Sequence, residues 1–219
     1  MRKVGVVLAG CGYLDGAEIQ EVVATLLALS RRDVEVIAMA PNVPQMHVLD
    51  HRVHTEAEYT RNVLIESARI TRGEIHDLES VNVQELDALV FPGGFGVAKN
   101  LCDFATAGTK MTVLPAVKSM ILDRFESKTP MAFICIAPVI AASVIGAISP
   151  GVELTIGNDA STAQAIEALG ARHFNSEPGG IHIDTERRIV STPAYMIGPD
   201  ITAVFDGIDA CIGALLEMS

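Results

Sequence analysis

Short, uninterrupted apolar runs recur along this chain and alternate with segments of helical spacing, the pattern of a parallel sheet whose strands are buried on both faces by helices. The runs are Lys3 to Ala9, Val34 to Met39, Ala88 to Phe91, Met131 to Ile134, Glu153 to Ile156 and Ile189 to Ser191. Between them, Glu18 to Ser30 carries Ile19, Val22, Val23, Leu26, Leu27 and Leu29 at helical intervals, and Asn62 to Arg72, Val113 to Phe125, Thr162 to Leu169 and Ile201 to Glu217 read similarly. Pro41 to Glu58 breaks the pattern and is expected to be irregular. No repeat or linker divides the chain, so residues 1–219 are read as a single α/β domain, a doubly wound, mostly parallel, flavodoxin-like sheet with helices on both faces.

Charge narrows the partners. With 27 acidic and 16 basic residues the net charge is -11, and the basic footprint needed for phosphate backbones or anionic membranes is missing. Neither nucleic acid nor a membrane is expected as a partner. The run Leu8-Ala9-Gly10-Cys11 resembles a lipoprotein cleavage box, but the five residues Val4 to Leu8 fall short of the roughly 7 to 15 apolar residues of a signal peptide, so a buried first strand is expected. Four cysteines, at 11, 102, 135 and 211, form no CxxC pair. A reducing compartment and a cytoplasmic location are expected.

Chemistry in such sheets gathers where strands end. Cys135 closes the apolar run Met131 to Ile134 and precedes Ile136-Ala137-Pro138 and a helical stretch. A thiol at a strand–turn–helix corner is lifted out of the sheet beside helix N-terminal N–H groups that favour its anion. Pro92-Gly93-Gly94-Phe95-Gly96, after the third run, is a glycine turn able to form an oxyanion nest. Gly10-Cys11-Gly12-Tyr13-Leu14-Asp15-Gly16-Ala17-Glu18, after the first, places Glu18 in the first turn of a helix. Its GxGxxxG spacing, without an acidic residue at the end of the second strand, does not make a dinucleotide fingerprint. His47, His51 and His54 would share one face only if their segment were helical, which Pro41 and Pro44 oppose, so no metal site is expected. Cys11 reads as a wall residue beside the first strand end. Arg61, Glu66, Arg69 and Arg72 read as a solvated, ion-paired helix face.

Several long segments carry a resemblance: Asp15-Gly16-Ala17-Glu18-Ile19, Thr60 to Glu74, Pro92 to Leu101, Ile134-Cys135-Ile136-Ala137-Pro138 and Thr192-Pro193-Ala194-Tyr195-Met196. Through them the chain resembles, nearly end to end, the PfpI-like group of class I glutamine amidotransferase-like folds, and within it the ElbB-type isoprenoid biosynthesis glyoxalases. The resemblance implies Cys135 as nucleophile, Glu18 as its hydrogen-bonded carboxyl partner, and Gly93, Gly94 and Ile136 around the oxyanion and substrate. It departs where many members place His directly after the cysteine: Ile136 stands here, and Thr192 to Tyr195 contains no His. Glutamine hydrolysis therefore lacks its general base. The implied activity is a cofactor-independent glyoxalase converting glyoxal or another small 2-oxoaldehyde to a 2-hydroxy acid, with a small aldehyde as the partner molecule and a homodimer as the assembly. Deglycation of early glycation adducts, and a non-catalytic redox-sensing or chaperone-like role, are the alternatives.

Overall fold

A computed structural model describes residues 1–219. The strands in chain order are β1 (Lys3–Val7), β2 (Glu35–Ala40), β3 (Leu49–Asp50), β4 (Thr55–Glu56), β5 (His76–Asp77), β6 (Ala88–Phe91), β7 (Met131–Ile134), β8 (Glu153–Leu154), β9 (Arg172–His173), β10 (His182–Asp184) and β11 (Ile189–Thr192). The helices are α1 (Ile19–Ser30), α2 (Val63–Ile70), α3 (Phe104–Ala107), α4 (Pro115–Glu126), α5 (Pro138–Val144), α6 (Ala160–Ala168) and α7 (Ile201–Met218). Seven strands form the central sheet in the order β10-β11-β7-β6-β1-β2-β5, all parallel except the edge strand β10.

β1 lies at the centre with β2 on one side and β6 on the other, Val6 pairing with both Ala38 and Val90. The chain winds outward from β1 in one direction, returns, and continues the other way from β6. The gap between β1 and β6 is thus the switch point where loops part and a crevice opens. β6 and β7 are apolar at every position, and Phe91 stacks on Phe133 across them with ring centroids 4.9 Å apart. α1 packs against α7, which covers β7 and β11, while α4 packs against α5 in a second helical layer.

Capping residues set the helix starts: α7 begins at Ile201 as expected, while α2 begins one residue later and α6 two residues earlier than the apolar spacing indicates. Asn62, Asp159 and Asp200 sit at the N-caps of α2, α6 and α7 and accept from the backbone N–H three residues on. One expected strand is reassigned. β8 does not join the central sheet but pairs with β9. The N–H groups of Glu153 and Thr155, which would have bonded a neighbouring strand, donate instead to the side chains of Asp184 and Ser191. The short antiparallel β10 and the two-residue strands carried too little pattern to be read beforehand.

The irregular excursion is tied to the sheet by Asn100. Its Oδ1 accepts from Met46 N–H at 3.0 Å, and its Nδ2 donates to the carbonyls of Ala9 (2.8 Å) and Asp15 (2.9 Å). One buried amide thereby joins the loop after β1, the loop after β2 and the turn after β6. Replacing Asn100 with Ala orphans two buried carbonyls and the part-buried Met46 N–H, and we expect a loss of about 2–4 kcal/mol, read as a lower urea midpoint at unchanged m-value. A loss below about 0.5 kcal/mol, the scale of an ordinary surface substitution, would mean that water replaces the amide.

Candidate active site

Three strand ends converge at the switch point. The turn after β7 raises Cys135 into a left-handed backbone conformation (φ 62°), unusual for a side chain with a Cβ, while its N–H donates to the carbonyl of Thr192 at 2.9 Å. Ala194, on the loop facing it, is also left-handed (φ 42°). Two strained non-glycine residues at one place mark a geometry held by its surroundings.

Gly93 and Gly94 permit the close approach. A Cβ at Gly93 would lie 2.3 Å from Cys135 Cβ and 2.6 Å from Glu21 Oε2; one at Gly94 would lie 2.3 Å from the Glu18 nitrogen. Any side chain at either position would push the three strand ends apart.

The carboxyl that meets the thiol is Glu21, and this corrects the expectation for Glu18. Glu18 occupies the N-cap of α1, its backbone N–H donating to the Gly93 carbonyl at 2.9 Å and its carboxylate accepting from Glu21 N–H at 2.6 Å. Its side chain therefore turns back on its own helix and lines the mouth of the cavity. One turn further in, Glu21 is fully buried, with its carboxyl beside the Cys135 thiol. Its Oε2 accepts from Gly93 N–H at 3.0 Å and its Oε1 from Tyr195 N–H at 3.2 Å. Gly93 is corrected in the same way, since its N–H is committed to Glu21 and is not available to an oxyanion. The N–H groups of Gly94 and Ile136 face the Cys135 sulfur.

Spacing held the signal for Glu21. The buried face of α1 runs through Glu21, Val22, Thr25, Ala28 and Leu29, so a carboxyl sits on the inward stripe, whereas Ile19, Val23 and Leu27 face outward. Tyr195, also missed, supports the site from the loop after β11 through its N–H to Glu21 and its hydroxyl to Gln20.

Burial dominates the electrostatics. Desolvation, helped by the charge of Glu18, pushes the Glu21 carboxyl up to about 8 despite its two N–H donors. Burial also pushes the Cys135 thiol up, and a charged Glu21 would push it further, while the N–H groups of Gly94 and Ile136 pull it back. Near neutral pH Glu21 holds its proton, that second push is absent, and the two groups titrate as a unit.

The other candidates lie elsewhere. The segment bearing His47, His51 and His54 is not helical: His51 bonds Leu14 N–H and the Leu49 carbonyl, His47 faces Lys99 Nζ at 2.9 Å, and His54 sits in the turn between β3 and β4. Cys11 is half-buried, with Glu66, Arg69 and Arg61 as its charged neighbours. Arg61 and Arg69 do pair with Glu66, at 3.1 and 2.9 Å, but Glu66 is buried, so the expected solvated face holds only for the arginines.

The fold is shared with solved proteins of the DJ-1 superfamily and with an amidotransferase-like protein. The crystal structure of an isoprenoid biosynthesis protein with amidotransferase-like domain from Ehrlichia chaffeensis superposes with a TM-score of 0.93 at 35% identity, covering 100% of this chain and 99% of that one. Drosophila melanogaster DJ-1beta shares the fold alone, with a TM-score of 0.57 at 17% identity over 99% of this chain and 95% of that one. The chain belongs to the ES1 family: it is 43% identical to human glutamine amidotransferase-like class 1 domain-containing protein 3, mitochondrial, over 99% of its own length and 83% of that protein. It is 31% identical to the zebrafish ES1 protein, mitochondrial, over 99% and 86%. No protein-family model matches the chain. The mitochondrial names of these relatives overturn the expectation of a cytoplasmic location; free thiols indicate a reducing compartment, not which one.

A raised Glu21 has a consequence for stability. Between the ordinary carboxyl value of 4.5 and about 8, the folded chain holds a proton that the unfolded chain has released. The stability tied to this proton is complete below about 4.5 and is lost as the pH rises through about 8. Glu21→Gln keeps one acceptor of two and lowers stability at acid pH, but it lacks this titration. The melting-temperature gap between wild type and Glu21→Gln should therefore shrink from pH 5 to pH 8, and a gap that widens would place the Glu21 value below its ordinary one.

Proposed function

We propose that this protein is a cofactor-independent glyoxalase acting on 2-oxoaldehydes, with Cys135 as nucleophile and Glu21 as the acid–base group. The observation that carries this reading is the buried contact between Cys135 and Glu21 at the floor of a cavity that no histidine lines. Amide hydrolysis by a cysteine calls for a base of imidazole type beside the thiol. A carboxyl titrating near 8 suits another task. Both of its forms are populated near neutral pH, so it can take a proton from carbon and return it.

The Cys135 sulfur adds to the aldehyde carbon, and the thiol proton passes to the aldehyde oxygen, giving a hemithioacetal. The N–H groups of Gly94 and Ile136, which face the sulfur, are suited to hold the oxygen on the carbon bonded to it. Glu21 as carboxylate removes the proton from that carbon, forming an enediol, and returns it to the neighbouring carbon, which yields a 2-hydroxy thioester. Water then cleaves the carbon–sulfur bond, releasing the 2-hydroxy acid and restoring the thiol. One carbon is oxidised as the next is reduced, so the conversion needs no external oxidant. The name of the Ehrlichia relative suggests a connection to isoprenoid metabolism.

Purified protein given glyoxal should form glycolate, followed by NMR or chromatography. Cys135→Ala should abolish turnover, and Glu21→Gln should lower it by a factor on the order of 100 or more. Glu18→Gln should retain much more activity than Glu21→Gln. Glycolate formation that survives in Cys135→Ala protein would end the glyoxalase reading.

A further inference from the structure

The chain is poor in aromatic residues, with seven Phe, three Tyr and no Trp. Four of these ten line one cavity above Cys135: Tyr13, Phe95, Phe104 and Tyr195. They come from four separate segments, the loops after β1, β6 and β11 and the helix α3, so no single local pattern brings them together. Ile136 and Met196 complete the apolar wall. The space is about 660 Å³, whereas pockets of roughly 300–1,000 Å³ enclose drug-sized ligands. A two-carbon dialdehyde would reach the thiol and leave most of that volume to water.

Two of the aromatic rings are unusually open. Tyr13 is 41% and Phe95 50% exposed, an unfavourable placement for an empty site that a stacked ligand would relieve. Their backbones are joined, Phe95 N–H donating to the Tyr13 carbonyl at 2.8 Å. Lys99 reinforces the pair from behind, its ammonium donating to the Leu14 carbonyl at 2.6 Å and standing 5.4 Å from the Phe95 ring centre. The two rings are thus held in place before any ligand arrives.

The cavity also has a charge preference. No Lys, Arg or His lines it, and Glu18 stands at its mouth. A carboxylate or phosphate on the substrate would find no counter-ion there and would meet a like charge.

We infer that, on the glyoxalase reading above, the preferred substrate is an uncharged 2-oxoaldehyde bearing a flat apolar body, of the arylglyoxal type, whose ring lies among Tyr13, Phe95 and Phe104 while its aldehyde carbon meets Cys135. Adduct formation, proton transfer and hydrolysis balance as for glyoxal: phenylglyoxal and one water give mandelate, with the aldehyde carbon oxidised and the ketone carbon reduced.

Two measurements test this. In the first, kcat/KM is compared for phenylglyoxal and glyoxal. Phenylglyoxal should be favoured by about tenfold or more, the scale of burying part of a ring, and Phe104→Ala should cut that ratio several-fold. Cys135-dependent glyoxal turnover with no preference for phenylglyoxal would overturn the inference and leave the glyoxalase reading standing. The second does not depend on turnover. Ligand-observed NMR on Cys135→Ala protein compares unreactive 2-hydroxyacetophenone with hydroxyacetone, and the aromatic ketone should bind about tenfold tighter or better. If neither aldehyde is turned over, the glyoxalase reading fails, and this binding ratio alone decides whether the cavity selects an aryl ketone. Equal binding would show that it does not.

Discussion

A glutamate and a cysteine in contact, the first fully buried and the second at the floor of a cavity, set the conditions that the rest of this structure satisfies. Burying an ionised carboxylate beside a thiol is costly, so Glu21 retains a proton near neutral pH and is held by N–H groups from two different loops, those of Gly93 and Tyr195. Holding that contact requires strain at Cys135 and at Ala194, and bare backbone at Gly93 and Gly94. Such features are tolerated only where a rigid frame over-determines them. The all-apolar strands β6 and β7 and the switch point beside β1 provide that frame.

On the proposed reading, the same contact accounts for a chemistry other than amide transfer. A thiol paired with imidazole is poised for amide attack, whereas a thiol paired with a protonated carboxyl is poised for addition to an aldehyde followed by carbon acid–base work. Ile136 after the nucleophile removes a polar neighbour and extends the apolar wall of the cavity instead. On the proposed glyoxalase reading, the choice of reaction and the choice of substrate both involve this short turn.

Much of this was legible in the chain. Apolar runs that are buried on both faces read directly as β1, β2, β6, β7 and β11, and the cysteine at the end of Met131 to Ile134 marked its own elbow. The misassignment of the carboxyl had a physical cause. Glu18 and Glu21 lie three residues apart on α1, and naming the inward one requires knowing which face of the helix meets the sheet. That face is obscured because Ile19, Val23 and Leu27 make a second apolar stripe pointing outward. Gly93 was misjudged because the glycine turn offers several N–H groups, and only packing shows that the first is taken by Glu21. β8 misled because Glu153-Leu154-Thr155-Ile156 alternates as a strand does, while its backbone donors are met by Asp184 and Ser191, a long-range substitution invisible to local pattern. The four-ring cavity, assembled from distant segments, left no trace in periodicity.

Glu21 carries a proton at neutral pH inside the folded protein. Infrared difference spectroscopy between pH 6 and pH 9, on wild type and on Glu21→Gln, observes it directly. The expected spectrum has a carbonyl stretch of a protonated carboxylic acid that persists at pH 6, disappears as the pH passes about 8, and is absent from the Gln variant. A wild-type spectrum in which no protonated carboxyl remains above pH 6, identical to that of Glu21→Gln, would contradict it.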